Sequence, residues 1–260
     1  MSYGELIKFE RQERVGVIIL DNAKKLNVIG NEFFNELEEL QRELYVDEGL
    51  GAIAVVANGD NFSAGIDLKF LNSASAEMVK SGLDRLQKLY GFWQDLPIPV
   101  VIGVQGVCFG SGVELMLGCD MRIAAENVKL CLPEVRFGLA PDMGGTTRLT
   151  KLIGAGQAKR MIMGCEEIGA AEALSMGLVE KVVPEDKLRE YTLGLAKKMS
   201  YFPPSSVRFA KKGINIAQES SISTGLLFEQ AQSTYCCGTE DLKEATAAFL
   251  EKRLPNFKGR

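Results

Sequence analysis

The chain contains no histidine among its 260 residues. This absence excludes nucleophilic catalysis by Ser-His-Asp or Cys-His arrangements, because both use an imidazole as the base that activates the nucleophile. It also excludes the many metal sites that are built on histidine ligands. Acid–base chemistry must therefore fall to carboxylate, lysine, tyrosine or cysteine side chains, and the 34 acidic residues are the first candidates.

Signals for export, membrane insertion and disulfide formation are also lacking. The segment Met1–Glu5 does not lead from a basic region into an apolar one, so no signal peptide is predicted, and no apolar run approaches the length of a membrane span. The six cysteines show no C-x-x-C spacing, and Cys236 and Cys237 are adjacent, which does not suit a simple disulfide framework. We therefore expect reduced thiols and a cytoplasmic location.

The composition is that of an ordinary globular protein with a slightly acidic balance. Hydrophobic residues make up 46% of the chain and charged residues 25%, and the length is sufficient for a sizeable core. The net charge of −4 argues against nucleic acid or an anionic membrane as the main partner. We therefore look for a small-molecule substrate.

Strand and helix patterns alternate through the first part of the chain, and helical patterns alone follow. Apolar runs predict buried strands at 14–20, 52–57 and 100–102, and helical spacing predicts a helix from an N-cap at Asn27 to about residue 46. Four further helical segments are predicted at roughly 186–200, 204–217, 222–237 and 239–252. This order predicts an α/β core with a C-terminal helical cap.

The stretch from Gly103 to Arg148 carries the strongest functional signal. In it, a Gly110-Ser111-Gly112 turn leads into a short apolar helix. The unpaired N–H groups and the dipole at the start of a helix favour negative charge there. Glu114 lies just inside this apolar segment, and a carboxylate in that position is better explained by function than by packing.

A second loop of small residues, Ser63 to Asp67, also follows a buried strand directly. If the two loops converge, each offers a backbone N–H, and two such donors make an oxyanion hole for a carbonyl oxygen that gains negative charge. Taken alone, the glycines of the two loops are better explained by tight packing between strand and helix.

Three acidic residues form a candidate acid–base set: Glu114, Glu134 and Asp142. Carboxylates in one pocket can act as acid and base if their environments separate their pKa values, and they then titrate as a coupled set. The more common outcome for Glu134 and Asp142, considered singly, is an ordinary solvated loop carboxylate. Basic residues at Lys24, Lys25 and near the C-terminus are candidates for binding phosphate, although a solvated terminus is more common.

Several motifs in a fixed order resemble the enoyl-CoA hydratase/isomerase (crotonase) family over essentially the whole chain. Phe62–Leu68 is similar to the first oxyanion loop of that family, and Gly106–Leu115 resembles its second, with Cys119-Asp120 following as usual. Leu132–Glu134 and Gly138–Leu149 complete the pattern. The combination is far more specific than any single motif.

The resemblance implies a role for each matching residue. The N–H groups of Ile66 and Ser111 would hold the thioester oxygen of an acyl-CoA, with some narrowing because Ser111 replaces a more usual glycine. Glu114 and Glu134 match the two catalytic glutamates of hydratases. The remaining implied positions contact the substrate and its coenzyme A, with the Ala64 carbonyl reading adenine: Lys24, Lys25, Ala64, Asp67, Leu68, Gly110 and Lys252 of a neighbouring subunit. Coenzyme A is part of the substrate, and no separate cofactor or metal is expected.

Asp142 departs from the hydratase pattern, which has glycine at this position. Family members that move double bonds in dienoyl-CoA substrates carry aspartate here, but they usually have aspartate where this chain has Glu114. The leading hypothesis is syn hydration of a 2-enoyl-CoA by Glu114 and Glu134. The alternatives are double-bond isomerisation by Glu134 and Asp142, and a non-catalytic acyl-CoA-binding or scaffold role on the same fold.

The resemblance also implies an architecture and an assembly. The fold would be α/β, a spiral of ββα turns over residues 1–197 that carries the active site. Residues 198–260 would form a C-terminal helical oligomerisation region, giving a homotrimer or a homohexamer. The walls of the acyl pocket are expected from residues 70–95.

Overall fold

The computed structural model describes residues 4–260 as two β-sheets and a set of surrounding helices. Met1–Tyr3, which contribute to the prediction that a signal peptide is absent, lie outside the described residues. The strands are β1 Ile7–Gln12, β2 Val15–Leu20, β3 Ala52–Ala57, β4 Val100–Val104, β5 Val107–Phe109, β6 Met121–Ala125, β7 Lys129–Cys131, β8 Ile168–Gly169 and β9 Lys181–Val183. The helices are α1 Asn31–Val46, α2 Leu68–Ser73, α3 Ala76–Asp95, α4 Ser111–Gly118, α5 Gly145–Met163, α6 Ala170–Ser175, α7 Leu188–Ser200, α8 Pro204–Glu219, α9 Ile222–Cys237 and α10 Glu240–Glu251.

The larger sheet has six strands in the order β1-β2-β3-β4-β6-β9, and the smaller has three in the order β5-β7-β8. In the larger sheet β1 and β2 pair antiparallel, and every later neighbour is parallel. From β4 to β7 the chain alternates between the two sheets, which produces the ββα spiral. The predicted α/β fold class is thereby confirmed.

The continuous apolar runs of the central strands are explained by burial on both faces of the larger sheet. Ile18 and Ile53 belong to a core shared with α1, α3 and α4, whereas Val17 and Ala54 belong to a second core closed by α7. A parallel sheet covered on both sides selects unbroken apolar strands rather than alternating ones. The strands predicted at 14–20, 52–57 and 100–102 are confirmed.

The N-cap predicted at Asn27 is wrong. Helix α1 begins four residues later, at Asn31, and Asn27 has a left-handed backbone with a φ of 49°. Its side chain accepts a hydrogen bond from the Asn22 N–H at 2.7 Å and donates to the carbonyls of Asn58 and Asn61 at 3.1 and 3.0 Å. Asn27 therefore joins two loops, a role that helical periodicity does not reveal.

The four C-terminal helices lie where they were predicted. A buried ion pair connects one of them, α8, to the core. Lys211 of α8 places its Nζ 2.7 Å from Asp120 Oδ2 and donates to the carbonyls of Trp93 and Ile98 at 2.6 and 2.9 Å. Helix α7 packs on the larger sheet, so the boundary predicted at residue 197 falls inside this helix. The division into a core and an oligomerisation region remains a prediction.

The described part of the chain has no helix that is both long enough and apolar enough to cross a membrane.

Candidate active site

A cavity of about 760 Å³ lies between α2, α3, the start of α4 and the loop that precedes α5. Most of the predicted site residues line it, although they come from four separate segments of the chain: Ala64, Ile66, Asp67, Leu68, Gly110, Ser111, Glu114, Glu134 and Asp142. Lys24, Lys25 and Lys252 are not among the lining residues. The two loops and the three carboxylates therefore meet in one place.

Two backbone N–H groups at this cavity are free to bind an oxyanion. Ile66 lies opposite Ile29 in a parallel β-bridge. The hydrogen bonds of this bridge are made by the neighbours of Ile66, since the Ile29 N–H donates to the Gly65 carbonyl and the Asp67 N–H donates to the Ile29 carbonyl. The Ile66 N–H takes no part in the bridge and points away from it. Ser111 is the first residue of α4, where an N–H has no acceptor within the helix. Neither N–H has a hydrogen-bond acceptor among residues 4–260.

The two loops are held together by direct backbone contact. The Phe109 N–H donates to the Ser63 carbonyl at 3.0 Å, and the Ser63 N–H donates to the Val107 carbonyl at 3.0 Å. Gly65 has a φ of 88°, and a Cβ there would lie 2.7 Å from the Phe109 carbonyl oxygen. Glycine is therefore required at Gly65 for the two loops to approach each other. The same close packing brings the N–H groups of the two loops to one cavity, so the packing and the functional explanations of the small residues agree.

Ser111 lines the cavity, and the narrowing expected from its side chain remains a prediction. Its hydroxyl oxygen is buried beside that of Tyr90, and neither hydroxyl has another hydrogen-bond partner in the described part of the chain. Burial raises the pKa of Tyr90 well above its ordinary value, with an adjacent Glu114 adding to the effect. The N–H group that Ser111 offers belongs to its backbone, so serine can supply this donor as well as glycine can.

Glu114 is held rigidly on the cavity wall. Its side chain is buried, with 2% of its surface exposed. Its Oε1 accepts hydrogen bonds from the N–H groups of Met143 and Gly145 at 2.8 and 2.9 Å. Burial raises the pKa of Glu114 to about 7, with Glu134 and Asp142 adding to the rise, while the two N–H donors oppose it.

Glu134 faces the same cavity in a different environment. It begins the short 3₁₀ helix Glu134–Phe137, and its Oε2 is buried without a hydrogen-bond donor among residues 4–260. Burial raises its pKa to about 7, and the Asp142 charge contributes to this rise. Gly110 has a φ of 52°, and a Cβ there would lie 3.1 Å from Glu134 Oε1, so glycine keeps the space beside this carboxylate open.

Asp142 is the third carboxylate of the set, and it lies on the loop before α5. Burial raises its pKa above the ordinary value. Gln87 Nε2 donates to the Asp142 carbonyl at 2.8 Å, and Arg148 Nη1 donates to the Met143 carbonyl at 2.9 Å. The loop that supplies the two donors to Glu114 is thus fixed from both sides.

Gln87 and Arg148 were not assigned a role from the sequence. Arg148 also donates from Nε to Gln94 Oε1 at 2.8 Å, which ties α5 to α3. A long polar side chain on a predicted helix is a weak signal of function, even when it lies beside a Gly-Gly helix start as Arg148 does. The contacts of Gln87 and Arg148 with the loop become apparent only once the fold places α3 against that loop.

Replacing Glu134 with glutamine is expected to stabilise the protein above pH 7. The pKa of Glu134 in the folded protein is about 7 and its ordinary value is 4.5, so folding stability contributed by this group falls as the pH rises between these values. Glutamine is uncharged throughout, so Glu134→Gln should raise the free energy of unfolding at pH 8 by on the order of 2 kcal/mol and change it little at pH 4. Thermal unfolding at both pH values measures this.

The exposed residue Glu39 provides the control for that experiment. Glu39→Gln should leave the difference between the two pH values as it is in the parent protein. A Glu134→Gln variant that is less stable than the parent at pH 8 would contradict the assignment of Glu134 as a buried, unsatisfied carboxylate.

The lysines predicted to bind phosphate lie outside the cavity. Lys24 and Lys25 belong to an exposed 3₁₀ turn, and the next residue, Leu26, accepts a hydrogen bond at its carbonyl from the Ala64 N–H at 2.9 Å. The turn is therefore fixed to the first oxyanion loop. Lys252 directly follows α10 as its C-terminal cap, with a φ of 55°. Its binding of coenzyme A in a neighbouring subunit remains a prediction.

The chain matches a family model described as enoyl-CoA hydratase/isomerase over residues 10–260. A probable enoyl-CoA hydratase from Mycobacterium bovis is 36% identical over 263 residues, an alignment that covers 99% of each protein. The short-chain-enoyl-CoA hydratase of Clostridium acetobutylicum is 34% identical, with coverage of 96% of this chain and 97% of the relative. The crystal structure of an enoyl-CoA hydratase from Bacillus anthracis superposes with a TM-score of 0.94 at 33% identity, over 98% of this chain and all of the other.

Proposed function

We propose that this chain, which belongs to the enoyl-CoA hydratase/isomerase family, is an enoyl-CoA hydratase that adds water to the double bond of a 2-enoyl-CoA. The observation that carries the proposal is the meeting of Glu114 and Glu134 in one cavity with the free N–H groups of Ile66 and Ser111. The relatives named as hydratases at 32–36% identity support it.

The two N–H groups would bind the thioester oxygen of the substrate. Hydration at C3 pushes the electrons of the double bond onto this oxygen, which becomes an enolate. Donors that are already oriented at the place where this charge develops lower the barrier without reorganising during the reaction. The start of α4 adds a favourable dipole because Ser111 is its first residue.

The two glutamates would handle the protons. Glu114 would act as the base, since the N–H groups of Met143 and Gly145 favour its ionised form, and it would take a proton from the attacking water. Glu134 has a buried oxygen without a donor, which favours its protonated form, and it would deliver its proton to C2. Oxygen bonds to C3 as the proton reaches C2, and exchange with solvent later returns a proton from Glu114 to Glu134.

The stereochemistry of addition in deuterated water tests this scheme. Syn hydration, in which both glutamates act on one face of the double bond, should give a 3-hydroxyacyl-CoA with one deuterium at C2 on the face that received the hydroxyl group. Deuterium at C4 without a hydroxyl group at C3 would contradict hydration and indicate isomerisation.

Asp142 supports double-bond isomerisation as a second candidate function. Its side chain lines the same cavity as that of Glu134, and its charge raises the pKa of Glu134, so the two carboxyl groups interact electrostatically. If hydration is the reaction, Asp142→Gly should retain hydratase activity within about tenfold, since neither proton step uses Asp142.

An isomerase that relies on Glu134 and Asp142 should instead lose about 10²-fold or more of its dienoyl-CoA activity in the same variant. Assays of both reactions on the parent and on Asp142→Gly decide between the two functions. An Asp142→Gly variant that isomerises dienoyl-CoA as fast as the parent excludes a proton relay between Glu134 and Asp142.

We further propose that the chain assembles as a homotrimer or a homohexamer through its C-terminal helices. Exposed apolar side chains on α9, α10 and the following segment support this, among them Ile222, Phe249, Leu250 and Leu254. The free state of all six cysteines supports a reducing, cytoplasmic location. Light scattering of the purified protein distinguishes a monomer from a trimer and a hexamer.

A further inference from the structure

One face of helix α3 forms a long apolar wall of the cavity. Met78, Val79, Gly82, Leu83 and Leu86 all line it and recur at the spacing of a single helical face. The wall from residue 78 to residue 86 is about 12 Å long at 1.5 Å per residue. The polypeptide advances about 3.5 Å for every three bonds when extended, so a wall of this length matches roughly ten bonds of an extended chain.

Large apolar side chains remain exposed around the same cavity. Leu68, Met78, Phe137 and Leu139 are 57%, 52%, 56% and 44% exposed. They come from α2, α3 and the loop after β7, and all of them line the cavity. Exposed apolar surface concentrated at one concave site is a feature of ligand-binding grooves.

Gly82 keeps the middle of the wall open. It lies in the interior of α3, where glycine weakens a helix relative to alanine. No atom lies within 4 Å of the position that a Cβ would occupy there, so packing against a neighbour does not require glycine. The missing side chain leaves width for a ligand.

The charged side chain on this face of α3 is already compensated. Arg85 Nε and Nη2 donate to Glu38 Oε2 at 3.1 and 2.8 Å, and Nη2 also donates to Asn35 Oδ1 at 2.9 Å. An ion pair of this kind offers little to a second carboxylate. Lys69 and Arg136 also line the cavity, but they belong to α2 and to the segment after β7, so the wall that α3 provides suits an acyl group with an apolar end better than one that ends in a carboxylate.

We infer that the preferred substrate carries an apolar acyl chain of about ten carbons, which lies along α3 and passes Gly82. The inference rests on the proposed function, because it names the substrate class of the same site.

Binding of saturated acyl-CoA thioesters tests the inference without requiring turnover. Calorimetric titration with butanoyl-CoA and decanoyl-CoA should show at least about tenfold tighter binding of the longer chain, because each added methylene becomes buried. Adipoyl-CoA, which ends in a carboxylate, should bind no more tightly than butanoyl-CoA. Gly82→Leu should abolish the preference for decanoyl-CoA.

Gly194→Leu is the matched control, since Gly194 lies inside α7 with no atom within 4 Å of its Cβ position and does not line the cavity. It should leave both affinities unchanged. Equal affinities for butanoyl-CoA and decanoyl-CoA, or an unchanged preference in Gly82→Leu, would overturn the inference. Failure of the proposed function would show separately, as a lack of turnover of unsaturated acyl-CoA whatever the binding preference.

Discussion

Glu134→Gln is expected to lower kcat for the hydration of a 2-enoyl-CoA by about 10³-fold, within the 10²–10⁴-fold range of general acid–base catalysis. Glutamine keeps the shape of the side chain, but it has no acidic proton that it could transfer to C2. The KM should change little, because the oxyanion donors belong to Ile66 and Ser111. Steady-state kinetics on parent and variant measure the effect.

The control for this variant is its own stability. Because Glu134→Gln should be more stable than the parent at pH 8, its lost activity cannot be attributed to unfolding. A saturated acyl-CoA should bind to both proteins with similar affinity, since the cavity is unchanged. Activity within tenfold of the parent would contradict the role of Glu134 as the acid.

Glu114→Gln is expected to have an effect of similar size, about 10²–10⁴-fold on kcat, for a different reason. Glutamine retains an oxygen that accepts the Met143 and Gly145 N–H groups, so the loop should stay in place. The side chain no longer accepts a proton from water. The variant therefore separates the base function of Glu114 from its structural contacts.

The pH dependence of the parent enzyme tests the same assignment. The rate should rise as Glu114 ionises and fall as Glu134 loses its proton, and burial raises the pKa of each to about 7. Since the two groups are coupled, the limbs of the profile belong to the pair. The rising limb should disappear in Glu114→Gln, whereas a profile that keeps both limbs would exclude Glu114 as the base.

The sequence predicted the family, the α/β fold and the convergence of most candidate residues in one cavity. The motif residues could be predicted because their signals are local. Gly65 and Gly110 are glycines that allow the close approach of neighbouring groups, and Glu114 is a charged residue inside an apolar helix. The roles assigned to Glu114, Glu134 and Asp142 remain predictions, although the structure places all three on one cavity.

Other features depend on tertiary contacts that no local pattern encodes. Asn27 was predicted to cap a helix because asparagine favours both caps and loop junctions, and only the neighbouring carbonyls of Asn58 and Asn61 distinguish the two. Arg148 and Gln87 act on a loop that is distant from Gln87 in sequence. The width left at Gly82 is likewise visible only once α3 faces the cavity.

The central claim is tested most directly by following the absorbance of the conjugated enoyl thioester after the purified protein is mixed with crotonyl-CoA and, separately, with 2-decenoyl-CoA. The account predicts prompt loss of absorbance with both thioesters, a product heavier by one water molecule, and a loss that is about 10³-fold slower with Glu134→Gln. Absorbance that stays constant with both thioesters, or that changes without the addition of water, would contradict it.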